Sequence, residues 1–297
     1  TSLFREADLD PGKIAPMIGQ EDPWYYRNNM EFSFGDTADR EFAFGMYPTG
    51  YTYEILNLDE CFLESEFTSE FVPRTREWAI EHGLRPYINS EDAGFLRTVT
   101  IREGKRTGDR LIDLMTTHAS EAKMGGETVA AAEVAEAFAD FTHRTGEELG
   151  ERVSSIYWTQ KKAIRGQPTE WIDHHLFGEP VLEERLHLPG EVELEFEIGP
   201  RAFFQTNTLQ AEVLYREVID KSRLREEEAS VETVLDLYCG TGTIGLAMAP
   251  YARQVWGVEL QEDAVANARS NAELNGIANA SFIQGDVREV VDSEALG

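Results

Sequence analysis

The chain has 297 residues, with 55 acidic side chains against 27 basic ones and a net charge of −28. That length accommodates two domains with separate cores. No apolar run approaches the roughly 18 residues of a membrane-spanning helix, no signal-peptide pattern is present, and two cysteines make no disulfide framework, so a reducing cytoplasm is the expected setting. Apolar residues at 41% with regular periodicity speak against disorder. The acidity then reads as a solvated surface suited to high salt, where screening relieves self-repulsion, or as a face for a basic protein partner.

In chain order, Pro11, Pro16 and Pro23 forbid a continuous helix over residues 1–23. Residues 24–34 (WYYRNNMEFSF) alternate as a strand, GDTADR turns the chain, and residues 41–46 return as its partner. A second turn at Pro48-Thr49-Gly50 leads to a third strand over 53–58, followed by Cys61. The spacing of Phe71, Trp78 and Ile80 predicts a helix over 67–82, closed by Gly83. Residues 95–102 and 110–115 form a hairpin around GKRTGD, and 130–144 an amphipathic helix. Strands are expected at 153–158, 181–187 and 192–198, with His174-His175 at a loop end. Residues 1–198 thus read as an α+β domain without a nucleotide-binding glycine loop. At Gly199 the character changes: PRAFFQTN leads into a helix over 208–221, and REEEAS reads as a solvated linker.

The next stretch carries the chemistry. Residues 234–238 read as a buried parallel strand, broken by Cys239-Gly240-Thr241-Gly242. Helical spacing follows through Ile244, Leu246, Ala247 and Met248, then a strand over 255–258 ending on Glu259. A third strand, 280–284, ends in Gly285-Asp286. Strand, glycine turn, helix, strand and acid make the first βαβ unit of a Rossmann-like sheet. The fold class is therefore α/β, with residues 199–297 as the first half of such a domain. Gly240, Gly242 and Gly245 satisfy G-x-G-x-x-G, so a nicotinamide dinucleotide must be considered. Two features favour S-adenosylmethionine (SAM). Asp236, inside the first strand, would repel a pyrophosphate but tolerate a sulfonium-bearing amino acid. Asp286 is placed to accept from an adenine amino group, and Glu259 from a ribose diol.

YRNNMEFSFG at 26–35, LRTVTIREG and TGDRLIDLMT within 96–116, AFFQTN at 202–207, QAEVLY at 210–215 and VLDLYCGTGTIGLA at 234–247 occur in this order. Together they resemble the RNA (uracil-5-)-methyltransferase family, whose members make 5-methyluridine in tRNA or 23S ribosomal RNA. The resemblance implies a class I SAM-dependent methyltransferase domain behind an RNA-facing domain. It implies cofactor contacts at Gln205, Tyr238, Thr243, Glu259 and Asp286, beside the glycine turn at Gly240 and Gly242 and the strand acid Asp236. RNA is the implied partner; no membrane and no obligate protein partner is read from the sequence.

In that family a cysteine thiolate adds to C6 of uracil, C5 takes the methyl group, and a base removes the C5 proton. The resemblance puts both residues downstream of Gly297, so this chain is expected to bind the cofactor without catalysing transfer. It supplies three strands of a seven-stranded sheet, which leaves the outer edge of the first strand exposed. Cys239 reads as a small residue in the turn and not as the nucleophile. Cys61 matches the lone fourth iron–sulfur ligand of some relatives, but one cysteine holds no cluster, and a buried free thiol is expected. RNA contacts are expected from Arg97, Arg102, Lys105, Arg106 and Arg110, from Lys161, Lys162 and Arg165, and from stacking on Trp24, Tyr25 and Tyr26. The alternatives are a methyltransferase of another substrate, or a non-catalytic RNA- or protein-binding module keeping the fold.

Overall fold

Alternation along strand β1 (Asn29–Asp36) sends Met30, Phe32 and Phe34 to one side and Glu31 and Ser33 to the other. The computed structural model describes residues 4, 6–8, 10, 12, 15–50, 53–164, 166–222 and 233–291. After β1 come β2 (Phe42–Met46), β3 (Leu56–Asn57), α1 (Glu66–Glu81), β4 (Leu96–Glu103) and β5 (Arg110–Thr117). A small hairpin, β6 (Glu121–Met124) and β7 (Glu127–Ala130), precedes α2 (Ala131–Leu149), β8 (Ser155–Lys162) and β9 (Glu170–Gly178). These strands build a seven-stranded sheet in the order β3-β2-β1-β4-β5-β8-β9, antiparallel except for the β5–β8 pair. The parallel pair follows from the α2 crossover.

Helices α1 and α2 cover one face of this sheet. Phe71, Trp78 and Phe138 meet Phe32, Phe44, Val99, Ile112 and Ile156 in one core. Phe138 is fully buried, with Trp78 5.3 Å away edge to face, so Phe138→Ala belongs to the class of core truncations costing about 3–5 kcal/mol. The opposite face is polar: the register aligns Glu31, Thr100, Asp113 and Tyr157 in one row, and Ser33, Thr98, Met115, Thr159 and Asp173 in the next.

A second core lies around β10 (Leu182–Leu188), β11 (Val192–Ile198), α3 (Thr208–Ser222), β12 (Thr233–Leu237), α4 (Thr243–Met248), β13 (Gln254–Glu259), α5 (Glu262–Leu274), β14 (Ala280–Gln284) and α6 (Val287–Val291). Strands β12, β13 and β14 are parallel and neighbours in that order. Leu186 and Phe196 of the β10–β11 hairpin pack with Tyr215, Leu246, Val265 and Phe282. This hairpin, read from sequence as the end of the first domain, shares its core with the second. Among the described residues β12 has a partner on one side only, and Leu235 and Leu237 are 47% and 40% exposed.

Several elements differ from their sequence reading. The first strand starts at Asn29 and not at Trp24, because Tyr25 takes φ +51° and the N–H groups of Tyr25 and Arg27 donate to Phe62 and Leu63 carbonyls. Trp24 and Tyr25 rest their rings on Phe62, which engages two of the aromatics expected to stack on RNA. The third strand shrinks to Leu56–Asn57. His174-His175 lies inside β9, His174 stacked 4.5 Å from Trp158, and not at a loop end. The β6–β7 hairpin was unforeseen; Gly125 and Gly126, at φ +61° and +85°, make its two-residue turn. The REEEAS tract lies outside the described residues.

The GKRTGD turn joins the two cores, contrary to its reading as an RNA-contacting tip. Arg106 grips the Glu212 carboxylate with two nitrogens, at 3.1 and 2.6 Å, and Lys105 Nζ donates to Glu103 at 2.7 Å. Arg110 pairs with Glu103 at 2.9 Å and Glu151 at 2.6 Å, while Arg102 donates to the Ala202 carbonyl at 2.8 Å. Buried Glu184 accepts the N–H groups of Lys105 and Arg106. Moving these cations onto a phosphate would cost stability, since freeing a buried charge leaves its partner unpaired.

Candidate cofactor-binding cleft

Strand β12, read from sequence as buried but with only Asp236 buried along it, runs to Leu237, and the chain then reverses within five residues. Tyr238, Gly240 and Gly242 all take the left-handed region, at φ +64°, +56° and +80°. For the two glycines this is free of steric cost, and for Tyr238 it is not. Gly240 has open space where a Cβ would project, whereas a Cβ on Gly242 would stand 2.9 Å from the Phe282 ring. One glycine therefore leaves room for a ligand, and the other lets the turn pack on β14.

The acid inside the first strand has a structural task. Asp236 Oδ2 accepts the Gly245 N–H at 2.8 Å, tying α4 to β12. Burial pushes its carboxyl above the usual range, with the Gly245 hydrogen bond opposing. Thr243 is buried and takes a hydrogen bond from the Tyr215 hydroxyl at 3.3 Å. Neither side chain lines the cleft described below.

Glu259, at the tip of β13, is placed differently. Its two carboxylate oxygens accept the N–H groups of Gly240 at 3.1 Å and Gln261 at 2.9 Å. Each oxygen keeps a further lone pair for another donor. Gly240 and Glu259 open together onto a cleft of about 600 Å³, whose other walls include Asp173, Arg201, Phe203 and Asn267. The wall formed by residues 199–203 is held in place by the Arg102–Ala202 bond and by Thr241 Oγ1 donating to the Phe203 carbonyl at 3.3 Å.

The remaining expected residues lie around this centre. Tyr238 is 73% exposed at the strand tip. Asp286 is exposed, and its Oδ1 accepts the Arg288 N–H at 2.8 Å at the start of α6. Gln205 is half-buried and lines a separate groove with Ile18, Asn207 and Leu214. Sequence reasoning missed Asn28, Asp173 and Arg201. Asn28 donates from Nδ2 to the Gln205 carbonyl at 2.8 Å and to Thr208 Oγ1 at 2.9 Å, and its own N–H donates to Thr206. It lies in the quoted YRNNMEF motif, where its chemistry was visible but its partner was not. Asp173 and Arg201 pair at 2.8 Å on the cleft wall, an arrangement with no local sequence signal.

Behind that pair, Thr159 Oγ1 lies 2.9 Å from Asp113 Oδ2 and 3.1 Å from Asp173 Oδ1. One hydroxyl hydrogen serves one carboxylate, so the second contact is satisfied when a carboxyl is protonated. Asp113 is that group: burial pushes it up to about 7.

Neither cysteine is set as a nucleophile. Burial, then Asp236 and Glu259, push the Cys239 thiol up to about 12, and burial also raises Cys61. Cys61 is a buried free thiol, and the described residues contain no group of three His, Cys, Asp or Glu side chains set to hold a metal.

The parallel strands, the glycine turn and the acid at the second strand tip define the SAM-dependent methyltransferase fold, and a methyltransferase-domain family model matches residues 228–295. Beyond that domain, the chain is 34% identical to an uncharacterized RNA methyltransferase of Chlamydia trachomatis, covering 94% of this chain and 67% of that protein. It is also 34% identical to an uncharacterized RNA methyltransferase of Protochlamydia amoebophila, over 91% of this chain and 60% of the relative. The chain belongs to this RNA methyltransferase family. The solved tRNA (uracil-54, C5)-methyltransferase of Pyrococcus abyssi, in complex with S-adenosyl-L-homocysteine, superposes with a TM-score of 0.66 at 26% identity, over 91% of this chain and 58% of that one. The chain spans about 60% of the length of its curated relatives from Protochlamydia amoebophila and Clostridium tetani.

The residues present fit SAM. Gly240 leaves an open approach to backbone, the Glu259 carboxylate retains acceptor capacity for a ribose diol, and the cleft walls mix Phe203 and Ala264 with polar groups.

Proposed function

We propose that this chain is the cofactor-binding and RNA-facing part of a SAM-dependent methyltransferase acting on C5 of uridine in tRNA or ribosomal RNA. The observation that carries the reading is the joint opening of Gly240 and Glu259 onto one cleft walled by the residue 199–203 segment. Glu259 would hold the ribose hydroxyls, Gly240 would let the cofactor approach the backbone, and Phe203 would exclude water. Gln205, Tyr238 and Asp286 stand close in sequence to the strand and loop ends that frame this site, and the reading gives them cofactor contacts. When bound, SAM supplies an electrophilic methyl group. The order of motifs from YRNNMEF to the glycine turn, together with the likeness to the Pyrococcus abyssi enzyme, supports uracil C5 as the acceptor.

Covalent attack on uracil needs a thiolate, and neither Cys61 nor Cys239 is poised to be one. The reading therefore gives this chain binding and positioning, and assigns the nucleophile to another residue of the working enzyme. The test uses the gene product at its full length, SAM, and RNA carrying tritium at uridine C5. Methylation should release one tritium per methyl group, because the C5 hydrogen must leave. Methyl transfer without tritium release would overturn the C5 assignment and leave methylation of another atom.

A further inference from the structure

The uncovered face of the seven-stranded sheet divides into two ends. At one end Leu111 and Tyr157 join the second core, with the Tyr157 hydroxyl bonded to the Pro180 carbonyl at 2.8 Å. The border of that contact is Asp173, whose carboxylate holds Arg201 at the wall of the cofactor cleft. Beyond the border, the strand register continues on the same face to Lys161 and Trp171, paired across β8 and β9. Trp171 is two residues from Asp173 along one strand, about 7 Å.

Here the chain gathers cations that no carboxylate grips directly, although Asp92, bonded to the Tyr87 hydroxyl at 2.6 Å, acts on Arg97 and Glu31 on Lys161. Lys161 Nζ stands 4.9 Å over the Trp171 ring, and the Arg97 guanidinium 3.9 Å over the Tyr87 ring. Among the described residues neither forms an ion pair within 4 Å, whereas Lys105, Arg106, Arg110 and the neighbouring Lys162 all do. Arg97 Nε and Thr117 Oγ1 are buried without hydrogen-bond partners. The two cations lie near enough to oppose each other: burial first, then Arg97, draws the Lys161 ammonium below its usual range. Glu31 also faces them, its own carboxyl raised by burial and lowered by Lys161. In a protein of net charge −28, unpaired cations held over aromatic rings suit an anion that also has flat faces to stack.

We propose that this end of the sheet, centred on Lys161, Trp171 and Arg97, is the docking surface for a single-stranded RNA segment next to the nucleotide that enters the cofactor cleft. A base stacks on the exposed edge of the Trp171 side, and Arg97 and Lys161 take the flanking phosphates. The strand then follows β9 past Asp173 to the cleft. A duplex presents no free base to the ring, so single strands are preferred. This assignment rests on the RNA reading above.

The experiment is anisotropy of a labelled, unstructured, uridine-containing oligoribonucleotide with the chain, across a range of KCl concentrations, alongside calorimetry with S-adenosylhomocysteine. Trp171→Ala should weaken RNA binding by roughly tenfold, the scale of one lost base stack. Lys161→Glu should weaken it by about as much at low salt and flatten the salt dependence, as one phosphate contact is lost. Lys162→Glu, next in sequence but paired with Glu170 at 2.8 Å, should stay within about twofold by the same reasoning. All three should bind S-adenosylhomocysteine as the unaltered chain does, which shows that they are folded. RNA affinity unchanged in both Trp171→Ala and Lys161→Glu overturns the surface while leaving the RNA reading intact. An unaltered chain that binds S-adenosylhomocysteine but no RNA overturns both. A polyglutamate peptide competing as well as RNA would assign the patch to an acidic peptide instead and overturn the proposal.

Discussion

Asn28→Ala is the perturbation that separates a folding role from a positioning role where the two cores meet. Asn28 is 5% exposed, and its Nδ2 bridges the Gln205 carbonyl and the Thr208 hydroxyl, which itself donates to buried Glu184 at 2.6 Å. Removing the amide breaks two hydrogen bonds, at about 1 kcal/mol each, and leaves a buried carbonyl and hydroxyl less well satisfied. The expected loss of stability is therefore about 2–3 kcal/mol. Asn28→Asp should cost more, because it puts a carboxylate against the Gln205 carbonyl and near Glu184. The same bonds fix the backbone of the segment that includes Gln205, so S-adenosylhomocysteine affinity should fall by roughly tenfold, equivalent to about 1.4 kcal/mol. Urea unfolding and calorimetry at a temperature where both proteins are folded give the two quantities separately. A destabilised Asn28→Ala protein with unaltered affinity would refute the positioning argument. An equally stable variant would refute the energetic one.

Three further outcomes are expected. Glu259→Ala should weaken S-adenosylhomocysteine binding by about 1.5–3 kcal/mol, the range for a hydrogen bond to a charged acceptor; equal calorimetric affinities would remove Glu259 from the site. Asp113 faces Thr159, Asp173, Arg201, Arg102 and Tyr157. Its folded-state carboxyl, at about 7, lies above the unfolded value near 3.8, so the folded state holds the proton longer. Its contribution to stability is fully present below pH 4 and is lost as pH rises to about 7, by roughly 4 kcal/mol at most. Asp113→Asn should accordingly gain more on the parent protein at pH 8 than at pH 5 in thermal melts; an equal difference at both pH values would show that Asp113 ionises normally. Finally, a net charge of −28 makes the compact state repel itself, so the melting temperature should climb with KCl, and a flat profile would defeat the high-salt reading of the surface.

How legible the molecule was depended on the range of the interaction. The parallel strands over 234–238 and 255–259 announced themselves as apolar runs broken by glycine, because turn geometry at Gly240 and Gly242 is a local backbone requirement. Strand β11 was read with its observed bounds for a similar reason, since alternation over 192–198 needs no distant partner. Family resemblance then pointed to the cofactor. Where Trp24 and Tyr25 went was decided by Phe62, and the length of the first strand by a left-handed Tyr25, neither of which periodicity encodes.

Charge was the least readable property. The basic turn over 104–109 has the composition of an RNA-binding tip, yet Glu184 and Glu212 come to it from distant places in the chain, beside the adjoining Glu103. Lys161 and Lys162 are adjacent in sequence but face opposite sides of β8, one over Trp171 and the other on Glu170. Asp236, read as a cofactor contact, ties Gly245 to its strand, while Asp173, with no motif around it, stands at the cleft. Sequence fixes a side chain's chemistry and the local backbone that bears it. Which opposite charge lies within hydrogen-bonding distance depends on contacts between residues tens of positions apart, and those exist only once the two cores have packed.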